Sequence, residues 1–491
     1  MYIVQIASEC APVVKAGGLG DVVYGLSREI ELRGHAVEII LPKYDCMRYD
    51  QIWGLHEAYS DLWVPWYDGA IRCQVYCGWV HGRLCFFIEP QSEDNFFNRG
   101  VYYGCVDDHL RFAFFSKAAL EFLLRTNKRP DIIHCHDWQT GLVPVMLFEI
   151  YKYSGMDHQR VCYTIHNFKH QGIAGTNILW ATGLNREDYY FSYDRLQDNF
   201  NPFALNFMKG GIVYSNFVTT VSPHHAWEAH YGEFGYGLGH TLELHQQKFS
   251  GILNGIDYEV WNPEIDRFIP AQYNAETLTD KAKNKKALRE RLWLQDEDKP
   301  IIAYIGRLDE QKGVHLVHHA IYYSLHRNAQ FVLLGSATEA SINNWFWHEK
   351  NFLNSNPNVH LELGFNEELS HLIYAGADII VVPSNFEPCG LTQMIGLRYG
   401  TVPIVRGVGG LINTVFDRDY DHYHAPEERN GYVFFQTDYP ALESAMDRAI
   451  GLWSYYPEEF EKLQMQGMSY DYSWNHPGES YINIYEHIRH R

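Results

Sequence analysis

Two short loops in this 491-residue chain set cations beside glycines, the pairing that holds phosphate, and a third sets an acid and a glycine at a helix start. The first, Lys15-Ala16-Gly17-Gly18-Leu19-Gly20-Asp21, follows a short apolar run and opens a stretch of helical periodicity. Glycines let a ligand approach the backbone, a helix N-terminus offers free N–H groups to an anion, and Lys15 adds a point charge. The spacing fits neither a Walker loop nor a GxGxxG fingerprint; alone it reads equally as a Gly-rich turn with a surface lysine. The second, Gly306-Arg307-Leu308-Asp309-Glu310-Gln311-Lys312-Gly313, puts two cations in one turn. Arginine grips a pyrophosphate through two parallel hydrogen bonds and lysine serves as a compact charge, although Asp309 and Glu310 could neutralise both. The third runs from Pro383 to Gln393 and contains Glu387-Pro388-Cys389-Gly390-Leu391-Thr392. Its Gly390, Leu391 and Thr392 amides could meet a phosphate while Glu387 binds sugar hydroxyls; the plainer reading is an acid beside a helix start.

Two further segments place polar groups at strand ends, His134-Cys135-His136-Asp137-Trp138 and His166-Asn167-Phe168. Histidines two apart beside an aspartate suggest a metal, but no third ligand is evident, and 26 histidines make chance clusters common. The triplets Asp296-Glu297-Asp298 and Asp417-Arg418-Asp419 could mimic a metal-binding DxD, yet both sit in polar stretches that read as solvated loops. No metal site is expected.

Elements that would position these loops alternate along the chain. Residues 2–7 read as a strand, 21–33 as a helix with Val22, Val23, Leu26 and Ile30 on one face, and 37–41 as a strand after the stop at Gly34. Further strands are expected at 131–134, 161–165 and 217–221. A second series comes at 301–305, 331–334, 359–363, 379–382 and 402–405, with helices over 313–327, 367–377 and 390–399 between them. Such alternation predicts parallel sheets covered by helices, in two doubly wound domains with ligands beyond the strands' carboxyl ends. A polar stretch, 273–298, breaks the pattern, and the boundary is expected just before or within it.

Composition agrees. The length equals roughly three ordinary domains, and 46% hydrophobic with 20% charged residues is globular. A net charge of −20 disfavours nucleic acid as a partner. No apolar run is long enough to span a bilayer, and the N-terminus lacks signal-peptide character. Nine scattered cysteines without a CxxC pair read as free buried thiols in a soluble, cytoplasmic protein. Aromatic residues make up 15% of the chain, which leans towards carbohydrate; Trp63, Trp66 and Trp79 could be remote glucan sites, with core packing the expected role.

Taken together, the motifs resemble those of glycosyltransferase family 5, the bacterial glycogen synthases and plant-type starch synthases. The matching segments are Lys15-Ala16-Gly17-Gly18-Leu19, His136-Asp137-Trp138, Thr164-Ile165-His166-Asn167, Asn254-Gly255-Ile256-Asp257, Gly306-Arg307-Leu308 with Lys312-Gly313, and Glu387 to Gln393, in family order along the whole chain. Within the family the likeness is greatest to starch synthase III/IV-like enzymes and cyanobacterial glycogen synthases.

The resemblance implies an α/β GT-B fold, two Rossmann-like doubly wound domains facing an interdomain cleft. Residues 1–260 would form the N-terminal acceptor and catalytic domain, 261–470 the nucleotide-sugar domain, and 471–491 a helix crossing back. It implies retaining, metal-independent transfer of glucose from ADP-glucose to the non-reducing end of an α-1,4-glucan or maltooligosaccharide, releasing ADP. No cofactor, nucleic-acid partner or membrane partner is implied, and the compartment would be the cytoplasm, or the plastid stroma for a mature plant-type chain. The implied catalytic residues are Lys15, His166, Glu387, Arg307 and Lys312. Donor binding would fall to Gly17, Gly18, Leu19, Asp21, Asp137, Asn254, Phe365, Cys389, Gly390, Leu391 and Thr392, and acceptor binding to Trp138.

Two departures stand out. Ala16 occupies a position where the family usually has Thr or Val, and Phe365 keeps a stacking face for the donor base but lacks a hydroxyl. Ile395 stands where a neighbouring family, including the sucrose synthases, has a second Glu, which disfavours that family. A weakly active glucan-binding or priming scaffold, a nucleotide-sugar epimerase and a UDP-glucose-dependent enzyme are the alternative readings.

Overall fold

The computed structural model describes residues 1–490 and divides into two compact units. Met1–Gly255, together with the chain from Trp474 on, forms the first. Its strands are β1 (Tyr2–Ile6), β2 (Ala36–Pro42), β3 (Trp53–Trp66), β4 (Gly69–Val80), β5 (Arg83–Pro90), β6 (Ile132–His136), β7 (Arg160–Ile165), β8 (Ile173–Ala174), β9 (Leu205–Asn206), β10 (Phe217–Thr220) and β11 (Phe249–Gly251). Nine of them make one sheet in the order β11-β10-β7-β6-β1-β2-β5-β4-β3, while β8 and β9 pair apart as a small ribbon. From β11 to β5 every pairing is parallel; β4 and β3 add an antiparallel edge. In β1 the residues Ile3, Val4 and Ile6 are all fully buried, as a strand covered on both faces requires.

The helix Gly18–Leu32 buries Leu19, Val22, Val23, Leu26 and Ile30, the stripe expected from periodicity. The terminal helix Asn475–Arg489 docks against it. A Cβ on Gly25 would lie 2.2 Å from the Trp474 indole nitrogen, so only glycine admits that ring. Arg33 completes the join, donating to the Asn475 backbone oxygen at 2.6 Å and side-chain oxygen at 2.9 Å.

Ile256–Ser473 forms the second unit. Its strands β12 (Ile301–Arg307), β13 (Gln330–Ser336), β14 (Val359–Leu363), β15 (Ile379–Val382), β16 (Val402–Arg406) and β17 (Tyr432–Phe434) form a parallel sheet in the order β14-β13-β12-β15-β16-β17. The chain runs outward from β12 to β14, then resumes beside β12 as β15. That reversal opens a crevice beyond the carboxyl ends of β12 and β15. In the first unit β1 and β6 stand in the same relation.

Some expectations change. The unit boundary lies at Gly255, ahead of the polar stretch 273–298, which belongs to the second unit and contains the helix Lys281–Arg291. It breaks the apolar pattern because its charges are structural. Lys281 is buried, and its ammonium meets the backbone oxygens of Tyr374 (2.9 Å), Ala375 (3.0 Å) and Tyr399 (3.0 Å) and the Thr401 hydroxyl (2.9 Å). The long strands β3 and β4 and the helix Asp108–Arg125 add to the elements expected from periodicity. Of the three tryptophans, Trp66 is buried, but Trp63 and Trp79 are 54% and 47% exposed, so core packing holds for only one. All nine cysteines are free thiols, with Cys46 exposed and Cys105 half-buried. Among the described residues no helix is long and apolar enough to cross a membrane.

Ala is the better helix former in isolation, so Gly25→Ala should stabilise an undocked helix by about 1 kcal/mol. Against Trp474 it should instead cost about 1–3 kcal/mol through overpacking. A fall in the thermal unfolding midpoint is the expected result; a rise would mean that the terminal helix does not dock on Gly25.

Candidate active site

In the first unit the chain leaves β1 through a tight loop, in which Cys10 and Val14 exchange backbone hydrogen bonds at 3.0 and 2.9 Å, before reaching Lys15. Glu9 organises the chain from Ala16 into the first helix. One carboxylate oxygen accepts from the Ala16 and Gly17 amides at 2.7 and 3.1 Å, and the other from the Tyr103 hydroxyl at 2.6 Å. Burial pushes the Glu9 carboxyl up from its ordinary value, and these hydrogen bonds oppose the rise. A Cβ on Gly17 or Gly18 would touch nothing within 4 Å, so packing does not demand these glycines and open space lies over them. Gly20 differs, since a Cβ there would press on the Val14 carbonyl oxygen at 3.0 Å. Leu19 turns its side chain into the core, which leaves only its backbone for a ligand. Lys15 is half exposed and pairs with Asp21 at 2.8 Å.

Beyond β6, Asp137 combines φ 56° with ψ −177°, a backbone conformation that a residue with a Cβ rarely adopts. Its amide donates to the Thr164 carbonyl at 2.9 Å, and its carboxylate accepts from the His166 amide at 2.7 Å. Asp137 therefore fixes the backbone beyond β7. Burial pushes its carboxyl up to about 7, with the His166 and Asn167 amides pulling it back. Three buried or half-buried imidazoles stand in a row here. His134 lies between the Tyr485 and Thr164 hydroxyls, each at 2.6 Å; His136 lies between Gln5 at 2.6 Å and His166 at 3.0 Å. Burial pushes His134 and His166 down to about 3. Trp138, expected at the acceptor site, packs edge-on to Phe112 at 5.5 Å and so closely over Gly172 that a Cβ there would come within 2.5 Å. Its ring is half-buried and holds the loop. Asn254 is buried, with its side-chain oxygen unpaired among the described residues.

In the second unit the two loops at the β12/β15 crevice are tied together. Gly313 takes φ 70°, and a Cβ there would lie 2.1 Å from the Pro383 carbonyl oxygen. The Gln311 carbonyl accepts from the Asn385 amide at 2.9 Å, and the Asn385 side chain donates to the Glu310 carbonyl at 2.7 Å. Arg307 pairs with Asp309 at 2.9 Å, and Lys312 with Glu387 at 2.5 Å. Glu387 is buried and also accepts from the Ser384 hydroxyl at 2.9 Å. Gln393 holds the turn after it, donating to the Cys389 and Gly390 carbonyls at 3.2 and 2.8 Å. Cys389 is buried, and its backbone lies so close to Gly410 that a Cβ there would meet the Cys389 carbonyl oxygen at 2.2 Å. The Gly390, Leu391 and Thr392 amides meet no acceptor among the described residues. Phe365 is 88% exposed in the turn after β14.

Each unit therefore gathers its own share of the expected residues at one crevice: Lys15, Gly17, Gly18, Asp21, Asp137 and His166 in the first; Arg307, Lys312, Glu387 and the free amides in the second. Glu9, Tyr103 and Gln5 are added by the structure alone, and Ser384 and Gln393 gain contacts that their place in the third loop does not reveal. Their types carry no spacing signal, and a buried glutamate is against the usual rule for burial.

With Asp137 raised to about 7 in the folded protein and near 4 unfolded, the folded chain binds more protons between those values. Stability from this group should fall as pH rises through that window. Asp137→Asn keeps an acceptor for the His166 amide without the charge, so its thermal midpoint should match wild type near pH 4 and exceed it at pH 8. A constant difference across that range would refute the buried-carboxyl account.

Comparison with known proteins divides the chain in the same way. Residues 2–244 match the family model for the starch synthase catalytic domain, and residues 286–462 that for glycosyl transferases group 1. Glycogen synthase 1 of Synechococcus sp. (strain JA-3-3Ab) is 80% identical over 491 residues, covering 100% of both chains. Probable glycogen synthase 2 of Synechocystis sp. (strain ATCC 27184 / PCC 6803 / Kazusa) is 74% identical over 490 residues, again covering 100% of both. The catalytic domain of starch synthase IV from Arabidopsis thaliana, solved with ADP and acarbose, superposes with a TM-score of 0.96 at 45% identity, covering 100% of this chain and 99% of that one. Sucrose-phosphate synthase from Thermosynechococcus elongatus, 17% identical with a TM-score of 0.62 over 99% of this chain and 98% of its own, shares the fold alone. On its full-length identity to these relatives, with two Rossmann-like units each carrying its loops at a switch point, the chain belongs to the starch and glycogen synthase family of GT-B glycosyltransferases and is a glucosyltransferase.

Proposed function

We propose that the chain moves glucose from ADP-glucose to the non-reducing end of an α-1,4-glucan, with retention at the anomeric carbon and without a metal ion. One observation carries this reading: every cation of the expected set sits in a switch-point loop built around glycines and helix-start amides, paired only with a carboxylate that a diphosphate could displace.

Breaking the glucosyl–phosphate bond puts negative charge on the leaving diphosphate and positive charge on the ring. Lys15, Arg307 and Lys312, with the amides around Gly18 and Gly390, stabilise the first as preorganised donors. As Lys312 turns to phosphate, Glu387 gives up its ion pair and keeps Ser384, leaving an oxygen to orient donor hydroxyls. The His166 carbonyl and ring face the developing oxocarbenium charge on a backbone that Asp137 pins. The acceptor 4-hydroxyl attacks from the face the nucleotide leaves; its proton passes to a departing phosphate oxygen as the new glycosidic bond forms. Phe365 offers an exposed face to the base, and ADP is released.

Incubating the protein with ADP-glucose or UDP-glucose, a maltooligosaccharide and excess EDTA should give longer glucans from ADP-glucose. No elongation with either donor would favour a priming scaffold; a free sugar product without an acceptor would indicate an epimerase; activity restored only by Mg²⁺ or Mn²⁺ would end the metal-free account. Lys15→Ala and Arg307→Ala should each cost about 3–4 kcal/mol of transition-state stabilisation, roughly 10²–10³ in kcat/KM. Wild-type turnover in either variant would remove the phosphate-clamp reading.

A further inference from the structure

We infer that Gln5 and His136 are positioning residues that set the tautomer of His166, holding its Nε2 as the N–H so that Nδ1 is presented as a lone pair to a hydroxyl of the donor sugar. This rests on the assignment of His166 to the donor site.

Each proton is placed by the partner it meets. Gln5, in the middle of β1, is fully buried and turns its Oε1 to His136 Nε2 at 2.6 Å. An amide oxygen only accepts, so His136 carries its hydrogen on Nε2. A neutral imidazole has one N–H, which leaves His136 Nδ1 as a lone pair. His166 Nε2 lies 3.0 Å from that lone pair and must be the donor. Both rings are neutral, since burial drives each below its ordinary value. His166 Nδ1 then has no partner among the described residues, and the residue is half-buried rather than enclosed.

Neighbouring groups deny the histidines freedom to rotate. His134 stacks on His136 with centroids 4.3 Å apart and planes 24° from parallel, and is itself fixed at both nitrogens by Tyr485 and Thr164. The Thr140 hydroxyl accepts from the His136 amide at 2.7 Å. On the far side, Asp137 holds the His166 backbone. Ring and backbone of His166 are thus held by separate partners. The opposite tautomer would present an N–H to the sugar and leave two lone pairs facing each other inside the protein, each without its donor.

The test uses the full chain labelled with 15N-histidine, with His166 signals assigned by their loss in His166→Ala. Long-range proton–nitrogen correlation should show the Nε2–H tautomer at His166 in the wild type. His136→Asn sets an amide oxygen near the place of Nδ1 and should keep that tautomer, with kcat/KM for ADP-glucose within about 3-fold of wild type. His136→Leu and Gln5→Leu remove the acceptor and the terminal anchor; each should give mixed tautomers at His166 and lose about 10-fold or more in kcat/KM. Should one leucine variant fail to fold, the other strand position still reads the effect. An Nδ1–H tautomer in the wild type, or equal activity in His136→Asn and His136→Leu, would overturn the proposal. Wild-type turnover in His166→Ala would instead overturn the donor-site assignment beneath it, whereas an inactive His166→Ala beside a fully active His136→Leu would defeat the relay alone.

Discussion

An acidic protein that handles a diphosphate must keep a few cations available without leaving them bare. At a net charge of −20, an unpaired lysine or arginine in a loop would be drawn to the nearest carboxylate, and here each has been given one nearby. Lys15 holds Asp21 and Arg307 holds Asp309, both pairs partly solvated, where such contacts contribute little and exchange readily. Lys312 and Glu387 form the tighter and drier pair. That difference suits the roles proposed for them, because Glu387 has a second donor in Ser384 and would keep a partner if the lysine left. In the proposed reaction, phosphate recognition is an exchange of partners, in which the diphosphate takes a carboxylate's place beside each cation and Lys312 turns from Glu387 to meet it.

Holding those cations still falls to groups with no chemistry of their own. Glu9 is nearly buried, at 4% exposure, a costly place for a carboxylate, and it is tolerated because three hydrogen bonds converge on it. Two of those bonds come from the amides that lead into the glycine pair, so the buried charge sets the path of the Lys15 loop. In the second unit glycine does comparable work. Gly313 and Gly409 both occupy the left-handed region and lie against the Pro383 and Glu387 carbonyls, where any side chain would collide at 2.1 and 1.8 Å. The first contact locks the Arg307 loop to the segment that carries Glu387, and the second holds that segment from behind. Gly17 and Gly18 face open space instead. The same residue type thus serves packing in one loop and ligand access in another, a distinction that needs coordinates.

Much of the architecture is legible in the sequence for a physical reason. Strands buried on both faces, such as β15, must read as apolar runs, and the helices covering them must repeat at 3.6 residues. The loops carrying Lys15 and Arg307 stand out because cations and glycines after a strand are uncommon without purpose, and the Glu387 loop because an acid and a glycine precede its helix. Legibility fails where polarity is structural or apolarity is exposed. Lys281 and its neighbours read as a break in the pattern although the ammonium is buried among four acceptors, and the β3–β4 edge is hidden because its solvent-facing pattern is interrupted by register shifts. Trp138 makes a contact that its place beside Asp137 does not reveal, since its half-buried ring braces Gly172. Gln5, in mid-strand, has no neighbour in sequence that reveals its contact with His136, 131 positions away.

The path of the chain places a further condition on the site. It leaves the first unit at Gly255, builds the whole of the second, and returns at Trp474. Only then do Tyr481 and Tyr485 reach the buried face of the first sheet, where Tyr485 meets His134 and Tyr481 lies against its ring with centroids 5.3 Å apart. His134 supports His136, and His136 supports His166. Without the terminal helix, His134 would lose the partner of its Nδ1 and a wall of its cavity, leaving a buried polar group unsatisfied under the site. The first unit is therefore incomplete as residues 1–255, however regular its sheet. Its row of histidines takes final form only when the last helix docks, and Gly25 and Gly478, which admit the Trp474 ring and the Glu29 side chain, contribute to the site from the far side of the sheet's core.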